Sequence, residues 1–139
     1  MAASVAVNAF GTLLKRNGTT IAEVTDITPP ELSRDQAEVT HHQSPSMWRE
    51  FIKILKDAGE VSFSINYIPT NSTHNAAAGL LGDFANDTTI DTWTLVFPDV
   101  AATTWTFAGF LTKFSAKAPI DDRLTADITL KVNGVPTLA

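Results

Sequence analysis

Apolar and polar residues alternate with a period of two along much of this chain. In "GEVSFSINYI", Val61, Phe63, Ile65 and Tyr67 alternate with Ser62, Ser64 and Asn66, the pattern of a strand that buries one face. Trp93, Leu95 and Phe97 alternate with Thr92, Thr94 and Val96, and Trp105, Phe107 and Leu111 share a face broken by Gly109. Leu124, Ala126, Ile128, Leu130 and Val132 alternate with Thr125, Asp127, Thr129 and Lys131. Turn-forming stretches at "FPDVAAT" and "APIDDR" join residues 90–97, 103–116 and 122–132 as successive hairpins, so the sheet is mainly antiparallel. Phe63, Ile65, Trp93, Leu95, Trp105, Phe107, Ile128 and Leu130 are the expected core.

Near the start, Asn17-Gly18 stands between two strand-like runs and supplies the positive φ angles of a tight hairpin turn. Pro29 and Pro30 forbid a ladder where they stand, and "QAEVTH" then resumes alternation. One segment follows another period. "STHNAAAGLLGDFAND" offers Ser72 or Thr73 as an N-cap and sets Ala77, Leu80, Leu81 and Phe84 at helical spacing. This predicts a short helix packed through those four residues. Gly79 and Gly82 each cost it roughly 1 kcal/mol of intrinsic propensity, so a sheet must hold it in place.

Residues 41–60, "HHQSPSMWREFIKILKDAGE", are ambiguous. Trp48, Phe51, Ile52 and Leu55 fall at i, i+3, i+4 and i+7, which on periodicity alone is an amphipathic helix. The segment also lies between 36–42 and 60–68, two runs that read as neighbouring strands, which favours an extended irregular loop. Connections of that length are more often functional than ornamental.

At 139 residues the chain suits one domain. No apolar run approaches the roughly 20 residues of a membrane-spanning helix. There is no cysteine, and "MAASVAVNAF" lacks the features of a signal peptide, so a soluble intracellular domain is expected. A net charge of -5 disfavours a sequence-independent grip on nucleic acid, which needs clustered lysine and arginine.

Catalytic and metal chemistry find little support. His41 and His42 are adjacent, so in a strand they leave on opposite faces, and His74 stands alone in another element. No Gly-x-Ser-x-Gly elbow, phosphate-binding loop or triad context occurs. Asp121 and Asp122 beside Arg123 read as turn formers rather than an acid and base pair. Neither an enzyme nor a cofactor is expected. Trp93 and Trp105 read as core, whereas Trp48 in the long loop suits a contact surface.

The ordered set "VTDITPPELSRDQAEVTHH", "WREFIKILKDAGEVSFSINYIP", "AAAGLLGDFAND", "TWTLVFPD" and "WTFAGFLTKFSAKAPIDDRLTADITLKVNGVPTL" resembles the major tail tube protein of long non-contractile-tailed, lambda-like bacteriophages. The resemblance covers about residues 10–138. It implies the tail tube fold, an antiparallel β-sandwich or partial barrel with one short flanking α-helix. It also implies six-fold rings that stack into a hollow tube, each subunit giving strands to a barrel that lines the lumen. Residues 1–139 then form a single tail tube domain, with 1–9 and 134–139 as flexible arms and 41–60 as a long loop between rings. The immunoglobulin-like C-terminal domain of some relatives has no counterpart in this sequence.

Three features agree with this implication. Open sheet edges would be removed by pairing around a closed ring. Strands 60–68 and 122–132 keep one small, polar face, so Ser62, Ser64, Asn66, Thr125 and Thr129 suit a water-filled lumen. Glu38, Glu60 and Asp127 repeated around a ring would give that lumen a negative field, attenuated over about 8–10 Å by salt. In the long loop, Trp48, Phe51 and Ile52 would be apolar stacking contacts, and Arg49, Lys53 and Lys56 polar ones. The partners implied are the chain itself, tape measure, tail tip and terminator proteins, and DNA as non-specific cargo, with no membrane. The location implied is the virion tail, assembled in the host bacterial cytoplasm. Two alternatives stand beside this: a tube subunit of a type VI secretion-like or gene-transfer particle, and a monomeric β-sandwich binding module.

Overall fold

The computed structural model describes residues 3–138. Its strands are β1 (Leu13–Arg16), β2 (Thr19–Thr20), β3 (Val24–Thr28), β4 (Ser33–Glu38), β5 (Phe51–Asp57), β6 (Glu60–Asn66), β7 (Asp91–Val96), β8 (Thr104–Lys117) and β9 (Thr125–Leu138), with one helix, α1 (Leu80–Ala85), between β6 and β7. Seven strands form one antiparallel sheet in the order β2-β1-β7-β8-β9-β6-β3, and β4 pairs only with β5 as a separate ribbon.

That order forces the sheet to curl. β2 and β3 are its two outer strands, yet only Ile21, Ala22 and Glu23 link them. A flat sheet of seven strands would set its edges about 29 Å apart, while the link from Thr20 to Val24 reaches at most about 14 Å. The strands therefore roll into a partial barrel, and the link is stitched to both sides. The Ile21 N–H donates to the Leu14 carbonyl at 3.0 Å, and the Asn66 N–H to the Glu23 carbonyl at 3.0 Å. The Ala22 N–H donates to Thr73 Oγ1 at 3.1 Å.

Inside the curl lie Val61, Phe63, Ile65, Trp93, Leu95, Phe107, Ile128 and Leu130, all buried. Register explains the alternation: Phe63 stands opposite Ile128 and Ile65 opposite Ala126 on the inner face, while Ser62 faces Thr129 and Ser64 faces Asp127 on the outer. Slipping by one residue would turn the apolar set outward. The Trp93 indole N–H donates to the Gly109 carbonyl at 3.1 Å, so the largest core side chain leaves no polar atom unpaired. Trp105, expected in the core, is only half-buried, packed edge-on against Phe97 with ring centroids 5.2 Å apart.

The hairpins joining β7, β8 and β9 form as the alternation predicts. Asn17 and Gly18 take φ of 50° and 84° in the β1–β2 turn. Four expectations need correction. The helix starts only at Leu80, preceded by Gly79 rather than capped by Ser72 or Thr73. A Cβ on Gly79 would lie 2.5 Å from the backbone of Thr73, His74 and Asn75, so the glycine admits the preceding turn instead of merely weakening the helix. Consequently Leu80 is buried and Leu81 half-buried, but Ala77 precedes the helix and is exposed, and Phe84 points to solvent.

Residues 41–60 are neither helix nor irregular loop throughout. A single 3₁₀ turn, Pro45–Met47, is followed by β5. Apolar residues at 51, 52, 54 and 55 sit on both faces of that strand, so no period of two is visible and a helical spacing arises by coincidence. Runs 36–42 and 60–68 are not neighbours either: β4 pairs with β5, and β6 with β3 and β9. Lastly, 134–138 is no arm. β9 continues to Leu138, which stands opposite Trp105. Residues 3–9 of the other arm contain no helix or strand and are exposed; residues 1, 2 and 139 lie outside the described residues.

His74 ties the chain between β6 and α1 to the edge link. It is fully buried; its Nδ1 accepts the Ile68 N–H at 3.1 Å, and its Nε2–H donates to the Ala22 carbonyl at 2.8 Å. Replacing it by alanine leaves two backbone groups unpaired beside a cavity, and His74→Ala is expected to lower stability by about 2–4 kcal/mol. Urea denaturation followed by tryptophan fluorescence measures this; a loss under about 0.5 kcal/mol would mean that the seam does not depend on the imidazole.

Candidate functional site

The least satisfied part of the molecule is the β4–β5 ribbon. Every residue of β5 is exposed, and so is every residue of β4 except Ala37. Phe51, Ile52, Ile54 and Leu55 all face solvent. A lone two-stranded hairpin is marginally stable in water, and these side chains are the largest apolar surface the ribbon leaves uncovered. At its base, Lys131 holds Asp57 at 3.0 Å, and Asp57 also accepts the Gly59 N–H at 2.9 Å. Those two contacts, the Gly59 N–H first, keep the Asp57 carboxyl below its ordinary range. Gly59 itself takes φ +69°, with the Glu31 carbonyl 2.8 Å from where a Cβ would stand.

The far end is internally organised. The Glu50 N–H donates to Thr40 Oγ1 at 2.9 Å, Ser44 Oγ donates to Glu50 Oε2 at 2.6 Å, and the His41 N–H donates to Ser44 Oγ at 3.0 Å. Ser46 and Met47 both take left-handed φ, 52° and 61°, a costly conformation for side chains other than glycine. Met47 and Trp48 are thereby held out at 96% and 75% exposure. Arg49 lies 3.6 Å from Glu38 on the facing strand, and Lys53 and Lys56 stand opposite Gln36 and Arg34 on either side of a register shift in the ribbon.

A second surface is the outer face of β3, β6, β9 and the second half of β8. Pairing places Ser62, Ser64, Asn66, Thr125, Asp127, Thr129 and Glu60 on it, joined by Asp26, Thr28, Lys113, Ser115, Lys117 and Lys131, with the exposed Phe110 opposite Lys131 as its apolar member. Glu38 lies on the ribbon instead. Counting also the groups bonded to its side chains, Asp57 on Lys131 and Glu23 and Arg123 on Asn66, this face carries Glu23, Asp26, Asp57, Glu60 and Asp127 against Lys113, Lys117, Arg123 and Lys131, one carboxylate more than cations. Sequence alternation does not assign Lys113 and Lys117 to this face, because a bulge between Leu111 and Lys113 shifts the pattern there. Both flanks of the face are open: β3 pairs only with β6, and β7 covers β8 no further than Gly109.

Catalytic geometry does not emerge. Among the described residues, no three His, Cys, Asp or Glu side chains converge as a metal site would require. His41 is engaged within the ribbon by Ser44 and Glu50, and His74 within the core.

The model of the lambda phage tail tube protein family matches residues 6–139. The chain belongs to that family. It is a structural tail tube protein and not an enzyme. No curated sequence matches it. The fold recurs in solved particles at low identity. A chain of the virion of a native gene transfer agent particle has a TM-score of 0.75 at 15% identity, covering 96% of this chain and 99% of that one. The sheath/tube terminator structure of the PVC extracellular contractile injection system gives 0.74 at 12% identity, covering 98% and 99%. The tube-terminating cap of the anti-feeding prophage gives 0.73 at 13%, covering 100% and 95%.

Where α1 meets the sheet, this tail tube protein holds a pair of carboxyls around one guanidinium. Arg16 binds Asp91 at 2.9 Å and stands 3.8 Å from Asp83, and Asn17 donates to Asp91 at 3.1 Å. Asp83 Oδ2 is buried without a donor. Burial first, and then Asp91, pushes the Asp83 carboxyl up to about 7, and a proton on Asp83 completes its hydrogen bond to Asp91. Burial opposes ionisation of Asp91 as well, but the hydrogen bonds from Asp83, Asn17 and Arg16 outweigh it and hold that carboxyl below its ordinary range.

Because the folded pKa of Asp83 lies above its ordinary 3.8, the folded state binds the extra proton between those values. Stability therefore falls as pH rises from 3.8 to about 7 and levels off above. The Asp91 contribution runs the other way and is confined below its ordinary value. Asp83→Asn keeps the neutral form, so it should flatten melting temperature between about pH 4 and 7 and add on the order of 1–2 kcal/mol at about pH 8, allowing for solvent near the pair. Calorimetry across that range provides the check, and an unchanged slope would exclude Asp83 as the titrating group.

Proposed function

We propose that this tail tube protein assembles into six-membered rings that stack into a hollow tube, with the outer face of β3, β6, β8 and β9 turned toward a lumen through which DNA passes. The observation that carries this reading is the pairing of one largely polar face, broken only by Phe110 near its edge, with two open flanks. In neighbouring copies, the free edge of β3 and the free edge of β8 from Phe110 to Lys117 would pair and continue the sheet around a ring, which removes edges that a monomer leaves unprotected. The number six is supported by the tail of an empty gene transfer agent particle, solved with C6 symmetry, whose chain has a TM-score of 0.73 at 14% identity.

The lumen in this reading is polar and weakly acidic. Ser62, Ser64, Asn66, Thr125 and Thr129 present small groups to the duplex, and Glu60 and Asp127 supply repulsion that Lys113 and Lys117 partly offset. The ribbon, with Trp48, Arg49, Phe51, Ile52, Lys53 and Lys56, joins one ring to the next. A tape measure protein would fill the tube before DNA does, and tip and terminator proteins would close its ends, as the cap and baseplate structures of the anti-feeding prophage suggest by fold. Assembly would take place in the host bacterial cytoplasm. A gene-transfer or injection particle would use the same tube in another setting, a reading favoured by the folds it shares with them.

Negative-stain electron microscopy across a concentration series tests the assembly. Rings or hollow tubes are expected, and a monomer at every concentration would overturn the reading. Trp48→Ala should keep the far-UV circular dichroism of the parent and raise the concentration at which tubes appear by about tenfold or more, as loss of one apolar anchor implies.

A further inference from the structure

A groove of about 1030 Å³ opens between the chain before β1, strand β3 and the turn joining β7 to β8. Its floor is an uncovered part of the core, where Val24, Ile27, Phe97 and Trp105 are packed on buried residues beneath yet half-exposed above. The chain that forms one wall does not fill it, since Phe10 remains 90% exposed. Asp26 and Asp99 stand in its lining, which contains no lysine or arginine. Thr103 donates to Asp99 through its hydroxyl at 2.6 Å and its N–H at 2.7 Å; these bonds, the hydroxyl first, keep the Asp99 carboxyl below its ordinary range and ionised.

We propose that the ribbon tip of a second copy, led by Met47 and Trp48, seats in this groove. The inference rests on the assembly reading above and specifies where its inter-ring contact lands. Chemistry matches on both counts. The tip presents a thioether and an indole, which suit a floor made of an aromatic pair. Arg49 follows directly behind them, 3.6 Å from Glu38, and Lys53 stands farther along β5 past Glu50; both cations are opposite in sign to Asp99 in the groove.

A copy cannot fill its own groove. Pro29 lines it, and β4 begins only four residues later, at Ser33, so the groove lies at the root of the ribbon. The ladder from Ser33 to the Val39–Glu50 bond carries the tip about 20 Å from that root, and the exposure of β5 shows that the ribbon does not fold back onto the barrel. Donor and acceptor are therefore different surfaces of one chain. Such a head-to-tail contact propagates from copy to copy instead of closing as a dimer, as a tube requires.

The sequence has no cysteine, so introduced thiols report without background. Single variants Met47→Cys at the tip and Thr25→Cys in the groove are mixed, assembled and mildly oxidised, with Ile120→Cys, exposed and outside the groove, as the control acceptor. The disulfides are mapped by mass spectrometry, and the same samples are imaged. A 47–25 linkage at about ten times the yield of the 47–120 linkage, in samples that contain tubes, is the expected result. Tubes without a preferred 47–25 linkage would overturn the seating and leave the assembly standing. Cross-linking of Val5→Cys to Thr25→Cys, in place of the tip, would make the N-terminal chain the occupant and also overturn it. Cysteine-free protein that stays monomeric at every concentration would overturn both.

Discussion

Three residues set the shape of this protein. Ile21, Ala22 and Glu23 connect the two strands that the hydrogen-bonding order places farthest apart, and a link so short cannot span a flat sheet. The curl encloses the core, sends one set of alternating side chains inward and leaves the other on an outward, mostly polar surface. Burial of the inner set, at about 1.5–3 kcal/mol for each large side chain, is what holds the curl closed. The polar stitches around the link, among them His74 and Thr73, keep its backbone groups paired at the place where the sheet ladder stops.

The same geometry decides where the molecule is incomplete. The polar face is flanked by unpaired backbone, the free edge of β3 on one side and the part of β8 beyond Gly109 on the other. The ribbon leaves between β3 and β6, and takes with it apolar side chains that the barrel has no room to cover. Interior demands are met within one chain, while edge and ribbon demands are not. Membership of the tail tube family gives this division a purpose, because a subunit whose own surface was fully satisfied would have no reason to polymerise.

Strands that bury one face are legible in the alternation of Val61 to Tyr67, Trp93 to Phe97 and Leu124 to Val132, because the core removes every second residue from water. The ribbon is not legible, for the converse reason: with no core beneath it, Phe51, Ile52, Ile54 and Leu55 obey no single face, and their spacing imitates a helix. Periodicity overstates the length of α1 because Ala77 fits a spacing that the tight approach around Gly79 interrupts, and it overstates the packed face because Phe84, inside the helix, is exposed. Strand position alone would put Trp105 in the core, whereas its exposure depends on a groove formed by residues far away in sequence. Of the candidate surface residues, Ser62, Ser64, Asn66, Thr125 and Thr129 share a face as their alternation implies, while Glu38 departs with the ribbon. Ion pairs such as Lys131 with Asp57, and the Arg16 cluster with Asp83 and Asp91, join positions that no local pattern connects.

The ribbon is attached to the barrel through two short tethers, Pro29 to Leu32 on one side and Ala58 with Gly59 on the other, and it is braced by the exposed bond between Asp57 and Lys131. The proline pair and the crowded glycine restrict those tethers, but the brace is an ionic contact open to solvent. In a filament built of such units, curvature would accumulate as small tilts of the ribbons while each barrel kept its form. Salt that screens the brace would then loosen each ribbon a little, because an exposed ion pair contributes little on its own, and a long filament would sum those small tilts into bending.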